Sequence, residues 1–197
     1  MSILLPAKPG IASAKPRLLD FGGVLTPPGG GAAQRVNRPG SRFAIDITLP
    51  AMSSIIEGRI FLAALMQAIS QGALYAFPQD MPVGAPGSPV VNGAGQMGTT
   101  LNLKNFTPSY AGRAGQFFSI VQGGRRYLHF LAAQGIAGAD GTVAASIWPM
   151  LRVSPDDGAV CEFAKPMIEG FLSGNALEWQ LRTAPYVDVQ FTITEAA

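Results

Sequence analysis

The residues of this chain that could do chemistry are few, and their spacing decides what chemistry is open to them. Gly93, Gly95 and Gly98 stand at the spacing G-x-G-x-x-G, which cradles a dinucleotide pyrophosphate when a strand precedes the glycines and a helix opens after them. Here they are followed by Thr99-Thr100-Leu101-Asn102-Leu103-Lys104, which alternates with period 2 and is rich in strand formers. No acidic residue stands about 20 positions on, where a ribose partner belongs. The glycines therefore read as turn chemistry. His129 is the only histidine, which leaves a metal site of the usual type short of ligands. It sits in Tyr127-Leu-His-Phe-Leu on a predicted strand, as a hydrogen-bonded packing residue, with no motif placing it beside a nucleophilic serine.

Of the 12 carboxylates only Asp156 and Asp157 are adjacent, in a turn where backbone capping accounts for them. A glycosidase pair drawn from distant positions stays open, with nothing in the sequence pointing to it. The single cysteine, Cys161, forbids an intramolecular disulfide or a cysteine zinc cluster, and in Ala-Val-Cys-Glu-Phe it reads as a buried strand residue. Arg125-Arg126 beside Tyr127 has the composition of a phosphate or single-strand patch. Directly after Gly123-Gly124, the two arginines read instead as solvated residues of a hairpin tip. Trp148 and Trp179, with Phe117, Phe118 and Tyr127, would make a sugar platform if exposed and core if placed on alternating strands. The expectation is no catalytic residue, no bound cofactor, no metal and no enzyme.

These side chains ride on short strands cut by turns. From Pro89 to Arg152, Asn92-Gly93, Gly123-Gly124 and Asp140-Gly141 supply the positive φ that tight hairpins want. Strands bounded so regularly predict a small β-barrel or sandwich over 89–155. Phe43-Ala-Ile-Asp-Ile-Thr-Leu alternates into a strand ending at Pro50. Ser54 and Glu57 have capping-box spacing before a helix over 54–71, with Ile55, Leu62, Leu65, Met66 and Ile69 as its apolar stripe and Phe61 widening it. Gly72 stops it, and Leu74–Phe77 returns as a strand. Residues 41–88, joined by C-terminal strands from about 160 to 197 (Ala159–Phe163, Ala176–Arg182 and Val187–Thr194), would form a first β module with the helix packed on it. Residues 78–89 read as a linker. The fold class is mainly β: a barrel or sandwich with one packed helix, a second small barrel, and an extended N-terminal arm.

The arm covers residues 1–40. Its prolines and Gly29-Gly30-Gly31 exclude long regular structure and leave room for short strands such as Arg17–Phe21. Residues 1–42 carry six cations against Asp20 alone, so this segment is +5 and the remaining residues −3 of a total of +2. A basic arm and a mildly acidic body suit docking onto a neighbouring subunit, and a solvated flexible tail is the alternative. A net charge of +2 is too small to imply sequence-specific nucleic-acid binding, and no run reaches the ~18 apolar residues of a membrane span. Charged residues are only 13%, about half the usual ~25%, which fits a protein that hides surface against copies of itself. The Met-Ser-Ile-Leu-Leu-Pro start is too short and proline-broken for a signal peptide, so the chain is expected to be made in a reducing cytoplasm.

The order of the motifs brings a family into view. Arg42-Phe-Ala-Ile-Asp-Ile-Thr-Leu-Pro-Ala-Met before a helix resembles the first module of phage tail proteins. Val91-Asn-Gly-Ala-Gly-Gln-Met-Gly-Thr-Thr-Leu, Ala114-Gly-Gln-Phe-Phe-Ser-Ile, Arg126-Tyr-Leu, Ala139-Asp-Gly-Thr and Ile147-Trp-Pro-Met-Leu-Arg resemble, in that order, their second module. Over roughly residues 40–182 the chain is similar to a distal tail protein of long non-contractile tails. The resemblance implies a structural virion protein at the distal end of the tail. It implies a homohexameric ring that leaves a channel for DNA, with the tail tube protein on one side and the hub and tip proteins on the other. The proline-rich start departs from the simplest pattern of that family. Candidate assembly contacts are Arg35, Arg38, Arg42, Phe43, Ile45, Ile47 and Leu49. The alternative is a β module that binds a carbohydrate or receptor through exposed aromatics.

Overall fold

The computed structural model describes residues 1–174, 179 and 186–196, and among these the chain is mainly β with a single helix. Two six-stranded sheets organise it. The first runs, in spatial order, Ile3–Leu4, Ala73–Ala76, Met167–Leu172, Gln190–Glu195, Arg42–Thr48 and Ser13–Leu19. Its neighbours are antiparallel except for the parallel pair of Ile3–Leu4 with Ala73–Ala76. The second runs Cys161–Glu162, Phe117–Gln122, Arg125–Leu131, Val143–Trp148, Thr100–Phe106 and Gly87–Val91. A bridge between Val90 and Val160 and the Val91 N–H donated to the Ala159 carbonyl (2.9 Å) bring its two ends together into a nearly closed barrel. The barrel-or-sandwich expectation therefore holds, with one helix on the first sheet.

Turn chemistry explains part of this layout. Gly123 and Gly124, at φ 58 and 76, form the two-residue turn that sets the register Gln122↔Arg125. Asn92-Gly93 and Asp140-Gly141 lie instead in longer connections. The helix spans Glu57–Gln71 and stops at Gly72 (φ 88), whose N–H donates to the Ala68 carbonyl. The expected capping box does not form: the helix begins three residues later, Ile56 is its N-cap, and no side chain caps it. Its buried face is Gly58, Phe61, Leu65 and Ala68. Ile55 (64% exposed) and Met66 (47%) of the expected stripe face outward. Gly58 sets the seat, since a Cβ there would lie 2.6 Å from Val187 Cγ1 and 2.9 Å from the Ser53 carbonyl.

Other boundaries moved as well. Ser13–Leu19 and Ile3–Leu4 are strands of the first sheet, so much of the expected arm is built into the body. Cys161–Glu162 joins the second sheet rather than the first, and the strand Gly87–Val91 begins inside the expected linker. The expected strand Ala176–Arg182 lies outside the described residues apart from Trp179, which is exposed. Met167–Leu172, central in the first sheet, was not anticipated. Gly170 there faces the Thr194 carbonyl so closely that any Cβ would collide with backbone.

The two sheets share one junction. Leu128 of the barrel is buried in the core of the first sheet, and Phe43, Phe77, Phe117 and Phe130 interlock across the boundary. Phe77 and Phe117 have ring centroids 4.5 Å apart, and Phe43 meets Phe117 edge-on at 5.4 Å. Beside this cluster, Arg125–Leu131 pairs with Val143–Trp148 only at Phe130 and Leu131. Its earlier outward N–H groups would be unpaired there, and carboxylates of the first sheet take them. Glu169 accepts the Arg126 N–H (3.0 Å), and Glu195 accepts the Leu128 N–H (2.7 Å) together with the Phe43 N–H (3.0 Å). Glu195 is also paired with Arg152, whose side chain is 6% exposed and whose guanidinium lies 5.2 Å from the Tyr127 ring centroid.

Removing one partner of a buried pair leaves the other charge uncompensated, which costs about 3–5 kcal/mol. Glu195→Ala is expected to destabilise by that amount in urea unfolding, against less than about 0.5 kcal/mol for the exposed Glu57→Ala. A Glu195→Ala midpoint equal to the wild type would show that the carboxylate does not join the sheets.

Candidate assembly surfaces

The residues singled out for chemistry are absorbed by the fold. The His129 ring is 1% exposed, its Nδ1 lies 2.8 Å from the Pro149 carbonyl, and it tilts against Phe118. Burial, and then the charge of Arg152, lower its pKa to about 3, while the contact with Pro149 works in the other direction. Cys161 is buried, and desolvation followed by the neighbouring Glu162 pushes its thiol up to about 12. Among the described residues no group of three or more His, Cys, Asp or Glu could hold a metal ion. The barrel interior between Leu103, Phe106, Leu131 and Phe163 leaves about 10 Å³, at the lower limit for one water.

The glycine loop at 93–98 is filled from within. Gln96 Nε2 donates to the carbonyls of Asn92 (2.9 Å) and Gly93 (2.8 Å), and its Oε1 accepts the Asn102 N–H (2.7 Å). Asp157 accepts the Gly93 N–H (2.8 Å) and pairs with Lys104 (2.7 Å). The Lys104 bond, then the Gly93 N–H, hold its carboxyl below the usual range. A strand, Thr100–Phe106, follows the loop, as the alternation indicates. Asp156 exchanges hydrogen bonds with Gln122. Arg126 is not a solvated tip residue: its Nε lies 3.2 Å from Glu162, and it is three-quarters buried. Of the aromatics, Phe118 stacks on Phe163 at 4.4 Å and Phe117 belongs to the junction, while Trp148 is half-buried.

The arm is the feature with no counterpart inside the molecule. Ser13–Leu19 and Arg42–Thr48 run antiparallel from Ser13↔Thr48 to Leu19↔Arg42. The same ribbon continues as Gly23–Leu25 paired with Gln34–Val36, closed by a tip over residues 26–33. Its bend is ordered by Asp20, which accepts the Gly22 N–H (2.9 Å) and the Ser41 hydroxyl (3.0 Å) and pairs with Arg35. These bonds, the Gly22 N–H first, hold the Asp20 carboxyl below the usual range. The Arg42 guanidinium lies over the Phe21 ring at 4.8 Å. Arg38 is exposed and makes no ion pair among the described residues. Val24 (58% exposed) and Leu25 (59%) are open to solvent, while Phe21 (47%) is covered on one face by Arg42.

The expected contact strand fares differently. Phe43, Ile45, Ile47 and Leu49 are at most 4% exposed, in the chain's own core. Both edges of Arg42–Thr48 are already paired, by Ser13–Leu19 and Gln190–Glu195. It offers a neighbour neither apolar side chains nor a free ladder, so of the candidates only Arg35 and Arg38 lie on the projecting ribbon, with Arg42 at its base. The sequence reading missed the exposed apolars of the arm, whose only signal was Phe21, Val24 and Leu25 standing in a proline- and glycine-rich stretch. Comparison with models of known protein families finds no match, and neither does comparison with curated proteins. Among the described residues no helix is long and apolar enough to cross a membrane.

Two measurements follow from the buried groups. His129 is lowered to about 3 in the folded state against 6.5 when exposed, so the unfolded chain binds the proton first. Its contribution is complete above about pH 6.5 and is lost as pH falls towards 3, at about 1.4 kcal/mol per pH unit. Between pH 6 and 4 the stability of His129→Gln is expected to fall less steeply than wild type by about one proton; parallel slopes would contradict this. Cys161 is expected to resist thiol reagents at pH 8 in the native protein and to react at once in denaturant. Labelling of the native protein at the rate of a free thiol would refute its burial.

Proposed function

We propose that this chain is a structural component of a phage tail that assembles into a homohexameric ring around a DNA channel, at the junction of tail tube and tail tip. The observation that carries the reading is the arm: a two-stranded ribbon that leaves the first sheet and carries bare apolar side chains and arginines. A monomer gains nothing from ordering such a ribbon, whereas a neighbouring subunit that covers it recovers the burial. The two β modules, the low charge and the ordered motif resemblance support the same reading. In it, the tail tube protein and the hub and tip proteins are the partners, and the virion is the place of action. The arm, with Arg35, Arg38 and Arg42 along or at the base of it, reaches an adjacent subunit.

The test is the mass of the purified full chain by mass photometry, followed by electron microscopy. The expected particle is a ring with a central hole, made of six copies of the 20.6 kDa chain. A strict monomer at the highest attainable concentration, or closed dimers without a channel, would overturn the self-assembling ring.

A further inference from the structure

The seam that closes the barrel ends on a side chain. Gly87–Val91 meets residues 158–160 through backbone bonds: the Val91 N–H donates to the Ala159 carbonyl (2.9 Å), and the Gly158 N–H donates to the Val91 carbonyl (3.0 Å). The next rung is different. The Gly93 N–H donates to the Asp157 carboxylate (2.8 Å), which Lys104 of the neighbouring strand holds at 2.7 Å. A carboxylate therefore fixes the peptide unit that joins Asn92 to Gly93.

That unit is the one place in the chain where an asparagine precedes a glycine, and such a pair has a reaction of its own. The backbone nitrogen of the glycine attacks the asparagine Cγ, and the new N–Cγ bond closes a cyclic imide. The bond from Cγ to the side-chain nitrogen breaks, and that nitrogen leaves as ammonia, taking the proton of the attacking N–H. Water then opens the imide. Cleavage of the N–Cγ bond leaves aspartate. Cleavage of the original peptide bond leaves isoaspartate, whose main chain is longer by one carbon. Glycine favours the attack because it has no side chain in the way and its backbone turns freely.

Every local feature but one leaves Asn92 open to this reaction. Asn92 is exposed, and its side-chain amide has no hydrogen-bond partner among the described residues. A Cβ placed on Gly93 would meet nothing within 4 Å, so no neighbour crowds the attacking residue. What opposes the attack is the bond that the nitrogen already makes. To reach Cγ, the Gly93 N–H must leave Asp157 and the peptide plane must turn. Meanwhile the Asn92 N–H is held by the Asn102 carbonyl (2.9 Å) and the Asn92 carbonyl by Gln96 (2.9 Å). The bonds from Lys104 and Gly93 keep Asp157 ionised, and an ionised carboxylate only accepts.

We infer that Asn92 is a self-modification site, and that the Asp157 carboxylate keeps it in the amide form by holding the Gly93 N–H. Loss of that rung lets the loop gain a second carboxylate beside Asp157. In the isoaspartate form the extra carbon falls between the Val91 and Gly93 rungs and puts them out of register, so the same bond guards the closure of the barrel.

The experiment follows Asn92 by peptide mapping and mass spectrometry while the full chain is stored at pH 8, reading the gain of aspartate and isoaspartate. Wild type is expected to keep the amide while the same chain in guanidinium chloride converts. Asp157→Ala, checked for native circular dichroism, is expected to convert at least about fivefold faster than wild type, the factor one hydrogen bond is worth. Asp156→Ala removes the bond to Gln122 from the same turn and leaves Gly93 held, so it is expected to match wild type. Native wild type converting as fast as the denatured chain, or Asp157→Ala converting no faster than wild type, would overturn the inference. Equal acceleration in the two variants would also overturn it, since loosening of the turn and not the Gly93 bond would then set the rate.

Discussion

The structure depends on two carboxylates doing the work of a missing strand. Along the first half of Arg125–Leu131 the barrel offers no ladder partner on one side, and an unpaired buried N–H costs about 1–3 kcal/mol. Glu169 and Glu195, from adjacent strands of the first sheet, accept the N–H groups of Arg126 and Leu128 in its place. Strand periodicity of two makes this possible, since residues 126 and 128 present their N–H groups on the same side. The same Glu195 accepts the Phe43 N–H, so a single carboxylate ties a strand of each sheet. Arg152 supplies the countercharge. A buried ion pair adds little net stability over an apolar replacement; what this one adds is position, because its acceptor geometry is satisfied in one relative placement of the two sheets.

That placement sets the rest of the junction. With the sheets held by Glu195 and Glu169, the four phenylalanines interlock and Leu128 enters the first core. Ser119 then bridges in a second place, donating to Glu162 (2.5 Å) and accepting the Met167 N–H (3.0 Å). Gln79 does the same from the segment between the modules, accepting the Phe117 N–H (2.9 Å) and donating to the Phe163 carbonyl. His129, buried nearby, stays neutral because burial disfavours its charged form and the Arg152 charge beside it adds to that.

Sequence patterning made legible what local physics controls. Alternation exposed most barrel strands, the glycine pair at 123–124 its hairpin, and Gly72 the helix stop. What stayed hidden depends on long-range partners. Met167–Leu172 has Glu169 and Gly170 in its middle, and both look wrong for a central strand until Arg126 and Thr194 are beside them. Ser13–Leu19 contains Pro16, which reads as a breaker but is tolerated on an edge strand. The Ser54–Glu57 spacing failed as a capping box because Met52–Ser53 is drawn into pairing with Tyr186–Val187, which delays the helix. For the candidate surfaces, alternation over Phe43–Leu49 signals a half-buried strand without saying what buries it. Here the answer is the chain's own helix and sheet.

The distribution of charge bears on which way copies of such a chain would meet. Contacts that bring the same segment together from two subunits would face +5 against +5, and like-charge juxtaposition penalises that arrangement. A contact between the basic segment and the rest of a neighbour brings opposite signs together instead. Within the arm, two of the arginines are partly quieted, Arg35 by Asp20 and Arg42 by its place over Phe21. Arg17 is paired with Asp46 at 3.3 Å, and Arg38 is exposed with no ion pair among the described residues.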